Sequence, residues 1–148
     1  SDAKYFRATG IGTHPNPRDA ERMARLEANA QLSAGISVSI QSVTSRYMTE
    51  HRNGSTTEYI DAFEQLSRQT TERHLRNIKI VCNHLEAGNG QYTVYLAVEV
   101  AAEDVLFDLE EEFQKDPSLQ HLYDKSMLKE LFDEELGVAD ADENIEDP

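Results

Sequence analysis

The segment Tyr5–Ile40 constrains the fold more than any other, because its apolar residues change period along the chain. A strand is predicted over about Tyr5–Ile11, and a turn that contains Gly and Pro follows it. A helix is predicted over about Pro17–Ala34. After Gly35 the apolar residues alternate with polar ones, which is the period of a strand, so a second strand is predicted over about Ile36–Met48. The segment therefore predicts a β-α-β unit.

The predicted helix has a clear start and a face of small residues. Asn16 can cap it, Pro17 suits the first helical position, and Asp19 and Glu21 lie near the positive end of the helix dipole. Residues that are small or unbranched at Cβ would let the helix lie close against a sheet. These residues are Ala20, Met23, Ala24, Leu26, Ala30 and Ala34.

A second helix and a β-hairpin are predicted next. The helix spans roughly Thr57–Leu75, where apolar side chains recur every three or four residues after an Asn53-Gly54 turn. The hairpin joins the strands Ile78–Asn83 and Tyr92–Val100 through a Gly-Asn-Gly turn, which favours antiparallel pairing. The alternation predicts one buried hairpin face, which carries Ile80, Cys82, Val94, Leu96 and Val98.

Two further helices and an acidic tail are predicted to complete the chain. The first helix ends at Asp116-Pro117, and the second, capped by Ser118, ends at Gly137. Residues 138–148 are expected to be a disordered acidic tail. The predicted fold class is α+β, a mostly antiparallel sheet of about four strands with helices packed on one face, in the order β-α-β-α-β-β-α-α. A single domain is expected over 5–137, with a C-terminal helical extension at 102–137.

The charge and composition argue against some functions. The chain has 14 basic and 28 acidic residues, for a formal net charge of -14. Nucleic acid is therefore not an expected partner, because phosphate binding needs clustered Lys and Arg. No apolar run approaches the roughly 20 residues of a membrane span. Cys82 is the single cysteine, so no internal disulfide is possible, and its place in an alternating strand predicts a small core residue.

Three patterns match known sites only in part. Gly10-Ile11-Gly12 resembles the start of a dinucleotide-binding fingerprint, but Pro15 occupies the position of the third glycine. The favoured interpretation is therefore close packing of the strand and the helix. Asp140–Glu146 overlaps the start of a calcium loop without its glycine. The histidines show no metal-binding spacing; they are His14, His51, His74, His84 and His121. We therefore predict no catalytic residue, no cofactor and no metal.

The last predicted helix carries a strong apolar stripe flanked by acidic residues. Most such stripes pack on the protein's own sheet. The alternative is an interaction helix that docks on a partner or on a second copy of the chain. The residues of this possible interaction helix are Leu128, Leu131, Phe132 and Leu136.

Short structural motifs are distributed over residues 5–101. They are Ala8–Gly12, the Ala-rich helix that leads into Ile36–Val38, and the strand Tyr92–Glu99, together with Phe63, Ser67, Thr70, Leu75, Ile78 and Val81. In these motifs the chain resembles the LPP-twenty-like family of bacterial envelope lipoproteins and, more remotely, the N-terminal domain of the flagellar protein FlgT. The resemblance implies an α+β domain in the periplasm or outer membrane of a Gram-negative bacterium. It also implies a membrane tether through an acylated cysteine upstream of Ser1.

The resulting functional expectation is a non-enzymatic cell-envelope protein that acts through protein-protein or envelope contacts. Its partner would be another protein or a second copy of itself. The runner-up is a small-ligand or glycan-binding periplasmic module that uses a groove between the first helix and the hairpin, and a hydrolase is third. A concave pocket with convergent polar groups would favour ligand binding. Titratable groups with perturbed environments in that pocket would favour an enzyme.

Overall fold

The computed structural model describes residues 5–51, 56–74 and 78–145. These residues form an α+β fold with one three-stranded antiparallel sheet and four α-helices, which confirms the predicted class. A short 3-10 turn at Gln120–Leu122 precedes the last helix. The elements are, in chain order, β1 (Tyr5–His14), α1 (Pro17–His51), α2 (Thr56–His74), β2 (Lys79–Gly88), β3 (Gln91–Ala101), α3 (Ala102–Lys115) and α4 (Lys125–Ile145).

The segment predicted as a second strand is instead the second half of α1, so the predicted fourth strand and element order are wrong. Buried residues in this part of α1 recur every three or four positions, which is the helical period. They are Ile36, Ile40, Val43 and Tyr47. Val38, which a strand would place on the same face as Ile36 and Ile40, is 64% exposed. Ile36 and Ile40 fit both periods, so the longer helical pattern decides.

The chain packs as two compact units. The first contains β1, α1 as far as Ile36, β2 and β3, and the second contains α1 from Ser37, α2 as far as Thr71, α3 and α4. By sequence, the first unit has eight basic and seven acidic residues, and the second unit has six basic and twenty-one acidic residues. Their formal net charges are therefore +1 and -15, so the negative charge of the chain belongs to the helical unit.

β3 is the central strand of the sheet, and the strand order is β1-β3-β2 with antiparallel pairing throughout. A two-residue turn, Asn89-Gly90, connects β2 to β3. The φ angles of these residues, 55° and 76°, are those of a type I′ turn, which matches the twist of paired strands. The predicted antiparallel hairpin is confirmed.

α1 lies very close to β1. A Cβ atom at Gly10 would lie 2.1 Å from the carbonyl oxygen of Ala24, and one at Gly12 would lie 2.1 Å from that of Ala20. Ala20, Ala24 and Ala28 are fully buried. Close backbone packing, the favoured interpretation of the glycine pair, is therefore confirmed. Four residues predicted to join this contact lie instead on the exposed side of the helix: Met23, Leu26, Ala30 and Ala34.

α4 starts and ends at residues other than those predicted. It does not begin after Ser118, because the backbone turns at that point. α4 starts only after Asp124. The Oδ1 atom of Asp124 accepts a hydrogen bond from the N–H of Met127 at 3.2 Å. The helix passes Gly137 and reaches Ile145, so part of the predicted tail, 138–145, is helical. Residues 146–148 and the predicted turn at 53–54 lie outside the described residues.

Tyr47 organises the core of the second unit. Its ring centroid lies 5.2 Å from that of Phe113 and 6.2 Å from that of Phe63. Its hydroxyl donates a hydrogen bond to the carbonyl oxygen of Leu122 and accepts one from the N–H of Asp124 at 2.7 Å. A single buried side chain thus joins α1 to the segment that leads into α4.

Candidate interaction surface

β2 is an edge strand, and all of its residues from Lys79 to Gly88 are exposed. Three large apolar side chains, Ile80, Val81 and Leu85, are 43%, 47% and 51% exposed. β2 pairs only with β3, so its other edge has no strand partner in the part of the chain that the structure describes. We use the name β2 edge for residues 79–88 together with the side of the strand that does not pair with β3.

A β-bulge at Val81 determines which way the side chains of β2 point. Ile80 lies opposite Val98, whereas Cys82 lies opposite Ala97, so the bulge accommodates one extra residue. The extra residue moves Cys82 to the face opposite that of Ile80. The predicted common face for these two residues is therefore wrong.

The predicted burial of the hairpin holds for β3 and fails for β2. Val94, Leu96 and Val98 are at most 2% exposed. Ile80 is 43% exposed and Cys82 is an exposed free thiol. The difference follows from the strand order, because β3 lies between two strands and β2 lies at the rim.

The two sides of β2 differ in chemistry. Ile80 and Leu85 pair with residues of the buried face of β3, so they lie on the side of the sheet that α1 covers elsewhere. Cys82, His84 and Glu86 lie on the opposite side, where the Nε2 atom of His84 is 3.4 Å from a carboxylate oxygen of Glu86. The side next to α1 is therefore mainly apolar, with Asn83 as its polar residue opposite Leu96, and the other side is polar.

The backbone of β2 directs hydrogen-bonding groups away from the sheet at alternate residues. The type I′ turn closes the hairpin at the Gly88–Gln91 pair. In an antiparallel ladder, every second residue directs both its N–H and its C=O to the partner strand. Gly88, Glu86, His84 and Cys82 therefore bond toward β3. The residues that direct these groups to the free side are Asn83, Leu85 and Ala87, and each needs water or another strand.

The face of the sheet opposite α1 is also open on β1 and β3. Ile11 and Tyr95 lie opposite each other and are 51% and 40% exposed. Tyr5 is exposed as well. The ion pair between Arg7 and Glu99, at 3.0 Å, separates Tyr5 from Ile11 and Tyr95. This face thus presents small apolar areas separated by charge.

The apolar stripe of α4 packs inside the second unit. Leu136 is partly exposed, and the other three residues of the predicted interaction helix are at most 3% exposed: Leu128, Leu131 and Phe132. Glu135 accepts a hydrogen bond from the hydroxyl of Ser42 at 2.8 Å, which ties α4 to α1. The burial of the stripe is thus explained by the helices of the chain itself, and docking of a partner on it stays a prediction.

Two tyrosines of the second unit have strongly shifted acidity. Burial raises the pKa of Tyr47 to about 12. Burial, together with a hydrogen bond that the hydroxyl donates to Glu110 at 2.7 Å, raises the pKa of Tyr123 to about 12. Both hydroxyls form hydrogen bonds that hold packed elements together, so we attribute the raised pKa values to structural roles of these two side chains.

The other polar patterns are local. Among the described residues, no group of three His, Cys, Asp or Glu side chains could hold a metal ion. His14 lies 3.7 Å from Asp19, and His121 lies 3.4 Å from the hydroxyl of Tyr59. The start of the calcium-loop pattern, 140–145, is helical. Two histidine side chains lie outside the described part: His51 and His74.

No helix in the described ranges is long and apolar enough to cross a bilayer. The chain matches no protein-family model and has no significant match among curated proteins. By fold and surface it is an α+β protein with an open-edged antiparallel sheet.

Proposed function

We propose that this chain is a non-enzymatic domain of a bacterial cell-envelope protein, and that it acts through protein-protein contacts made by the β2 edge. One observation carries the proposal. A strand of ten residues is exposed along its whole length, and no strand within the described ranges pairs with its second side. Such an edge is a template for another strand, which would satisfy its backbone groups while its side chains select the partner.

The β2 edge has few of the features that usually prevent strand pairing. Proteins protect exposed edges with lysine, proline, bulges or inward-pointing charge. In β2 the single lysine is the first residue, Lys79, and the bulge is at Val81. Residues 82–88 contain no lysine and no proline, and they form a stretch as long as an ordinary strand. An unprotected stretch of this length supports a binding role.

The charge distribution also favours contact through the first unit. Its formal net charge is +1, whereas that of the second unit is -15. Like charges repel and high net charge opposes close association. A contact centred on β2 therefore meets little long-range repulsion from its own unit.

The envelope location rests on the resemblance of residues 5–101 to the lipoprotein family. It is tested on the full-length protein, tagged at its C-terminus and expressed in its bacterial host. Fractionation should recover it in the periplasm or outer membrane, and a fatty-acid label should be incorporated where a lipid tether precedes Ser1. Recovery in the cytoplasm would contradict the location.

A small-ligand or glycan-binding module is the second candidate. Its support is the exposure of Ile80 and Leu85 on the side of β2 next to α1, where the sheet is not covered. A soluble glycan bound there would shift the methyl NMR signals of both residues in a saturable manner. Signals that stay unchanged across a panel of envelope glycans would exclude this use of the surface.

The contact through β2 is tested by site-specific photo-crosslinking in cells. A benzophenone side chain replaces Leu85 in one variant and Leu26 in a matched control, because Leu26 is 65% exposed on α1 in the same unit. The expected result is a crosslinked protein of defined mass at position 85 only, which is then identified and shown to rebind when purified. Equal yields at both positions, or no adduct at either, would contradict the proposal.

A further inference from the structure

We infer that the strand that pairs with β2 is the β2 of a second copy of this chain, in antiparallel register about a two-fold axis at Leu85. The inference rests on the proposed function and specifies its partner. The two three-stranded sheets would then form one continuous six-stranded sheet. A two-fold contact of this kind uses the same surface on both copies.

The free backbone groups of β2 are arranged for this pairing. Asn83, Leu85 and Ala87 direct their N–H and C=O groups to the open side. About an axis at Leu85, the two Leu85 residues lie opposite each other, and each Asn83 lies opposite the Ala87 of the second copy. Each of these pairs exchanges two hydrogen bonds, as the hydrogen-bonded pairs of an antiparallel ladder do.

Side-chain charge selects this register over its neighbours. With Leu85 on the axis, His84 of each copy lies opposite Glu86 of the other, so two pairs of hydrogen-bonding partners form. A shift that centres the axis on Glu86 would place the two carboxylates against each other. A shift that centres it on His84 would pair Glu86 with Cys82. Within one chain His84 and Glu86 already lie 3.4 Å apart, so both side chains are on the same face.

The same register avoids the bulge and keeps the two faces distinct. The paired stretch extends from Cys82 to Gly88, and the bulge at Val81 lies just outside it. Because the axis is perpendicular to the sheet, each face of one copy continues into the same face of the other. Leu85, which is 51% exposed, would meet its equivalent on the side next to α1 and lose that exposure.

The native cysteine allows the register to be read directly. With the axis at Leu85, Cys82 lies opposite position 88 of the second copy, in a pair without backbone hydrogen bonds, where side chains are closest. A Cβ atom at Gly88 meets nothing within 4 Å, so Gly88→Cys is sterically free. Mild oxidation of Gly88→Cys should give a disulfide-linked dimer on a non-reducing gel, and adding Cys82→Ser should abolish it. Crosslinking that is strongest for Glu86→Cys or His84→Cys, or in the unsubstituted protein, would overturn the register.

Charge reversal tests the selecting pair. In analytical ultracentrifugation, Glu86→Lys should weaken dimerisation about 2- to 30-fold, since two cross-strand pairs are lost at once. His84→Glu should act in the same direction, and the double variant His84→Glu with Glu86→Lys should restore association. Single variants that associate as well as the unsubstituted protein, or a double variant weaker than both, would overturn the role of the pair.

Amide exchange separates failure of this inference from failure of the proposed function. Raising the protein concentration should protect the amides of Asn83, Leu85 and Ala87, and Leu85→Lys should remove that protection while the control Leu26→Lys retains it. A chain that stays monomeric, with these amides unprotected at every concentration, would overturn self-pairing. Photo-crosslinking at position 85 to a different protein that rebinds when purified would then still support the contact function. If no such crosslink formed either, both self-pairing and the proposed contact function would be contradicted.

Discussion

Replacing Gly10 by alanine is expected to destabilise the first unit strongly. The new methyl group would lie 2.1 Å from the carbonyl oxygen of Ala24 and 2.6 Å from the nitrogen of Ala28. Both are backbone atoms of α1, so no side-chain rotation can relieve the overlap. The helix and β1 must separate by about 1.3 Å to restore an ordinary contact of 3.4 Å. A gap of this size loses about half of the dispersion energy of the contact, so we expect a loss of about 2–4 kcal/mol in the free energy of unfolding.

Gly35→Ala is the matched control for this experiment. It is the same chemical change, but a Cβ atom at Gly35 meets nothing within 4 Å, and the residue lies inside α1. Alanine should therefore stabilise the helix by about 0.5–1 kcal/mol. Urea denaturation followed by circular dichroism compares the two variants with the unsubstituted protein at equal m value. A Gly10→Ala protein as stable as the parent would refute the close packing, and a destabilising Gly35→Ala would refute the continuity of α1.

Three further predictions concern the second unit and the exposed thiol. Tyr47→Phe should lower the free energy of unfolding by about 1–3 kcal/mol in urea titrations, because it leaves the Leu122 carbonyl and the Asp124 N–H without their partner. The folded protein keeps the Tyr47 proton until about pH 12, whereas an unfolded tyrosine releases it near pH 10. The free energy of unfolding should therefore fall as the pH rises between these values, and it should fall less steeply in Tyr47→Phe. Cys82 should react with a thiol reagent in the folded protein nearly as fast as in urea, and marked protection would contradict its exposure.

Signals confined to a few neighbouring residues were sufficient to predict part of the fold. The sequence predicts Asn16 as the cap of α1, and its Oδ1 accepts a hydrogen bond from the N–H of Arg18 at 2.9 Å. Two β-rich segments joined by Gly-Asn-Gly predict the hairpin, and Asn89 and Gly90 have the left-handed φ angles that these residue types tolerate. Such features depend on local backbone energetics, which the sequence expresses directly.

The second half of α1 could not be assigned from its local pattern. Ile36 and Ile40 are compatible with a strand and with a helix, and only Val43 and Tyr47, further along the chain, add apolar residues at helical spacing. Tyr47 becomes decisive through its contacts with Phe113 and Leu122, which are distant in sequence. Tertiary packing thus overrides the β-branched residues that suggested a strand.

The candidate surface was harder to predict than the fold because it depends on strand order. The pattern of Ile80 and Cys82 predicted a buried face, but alternation alone does not tell a central strand from an edge strand. The bulge at Val81 then shifts the alternation by one residue. The polar residues Asn83, His84 and Glu86 within β2 are a sequence signal that favours an edge strand.

The exposure of β2 on the side next to α1 follows from the same glycines that bring α1 onto β1. Neighbouring strands are about 4.8 Å apart, so β2 lies about 9.6 Å from β1 in the order β1-β3-β2. A helix with its side chains is about 10–12 Å wide, so one seated over Gly10 and Gly12 extends only about 5–6 Å to either side. It can cover β1 and the adjoining part of β3, which agrees with the burial of Val94 and Leu96 and the exposure of Leu85. The close contact that stabilises the unit therefore also leaves the α1 side of β2 uncovered, whereas the open backbone edge of β2 follows from the strand order β1-β3-β2.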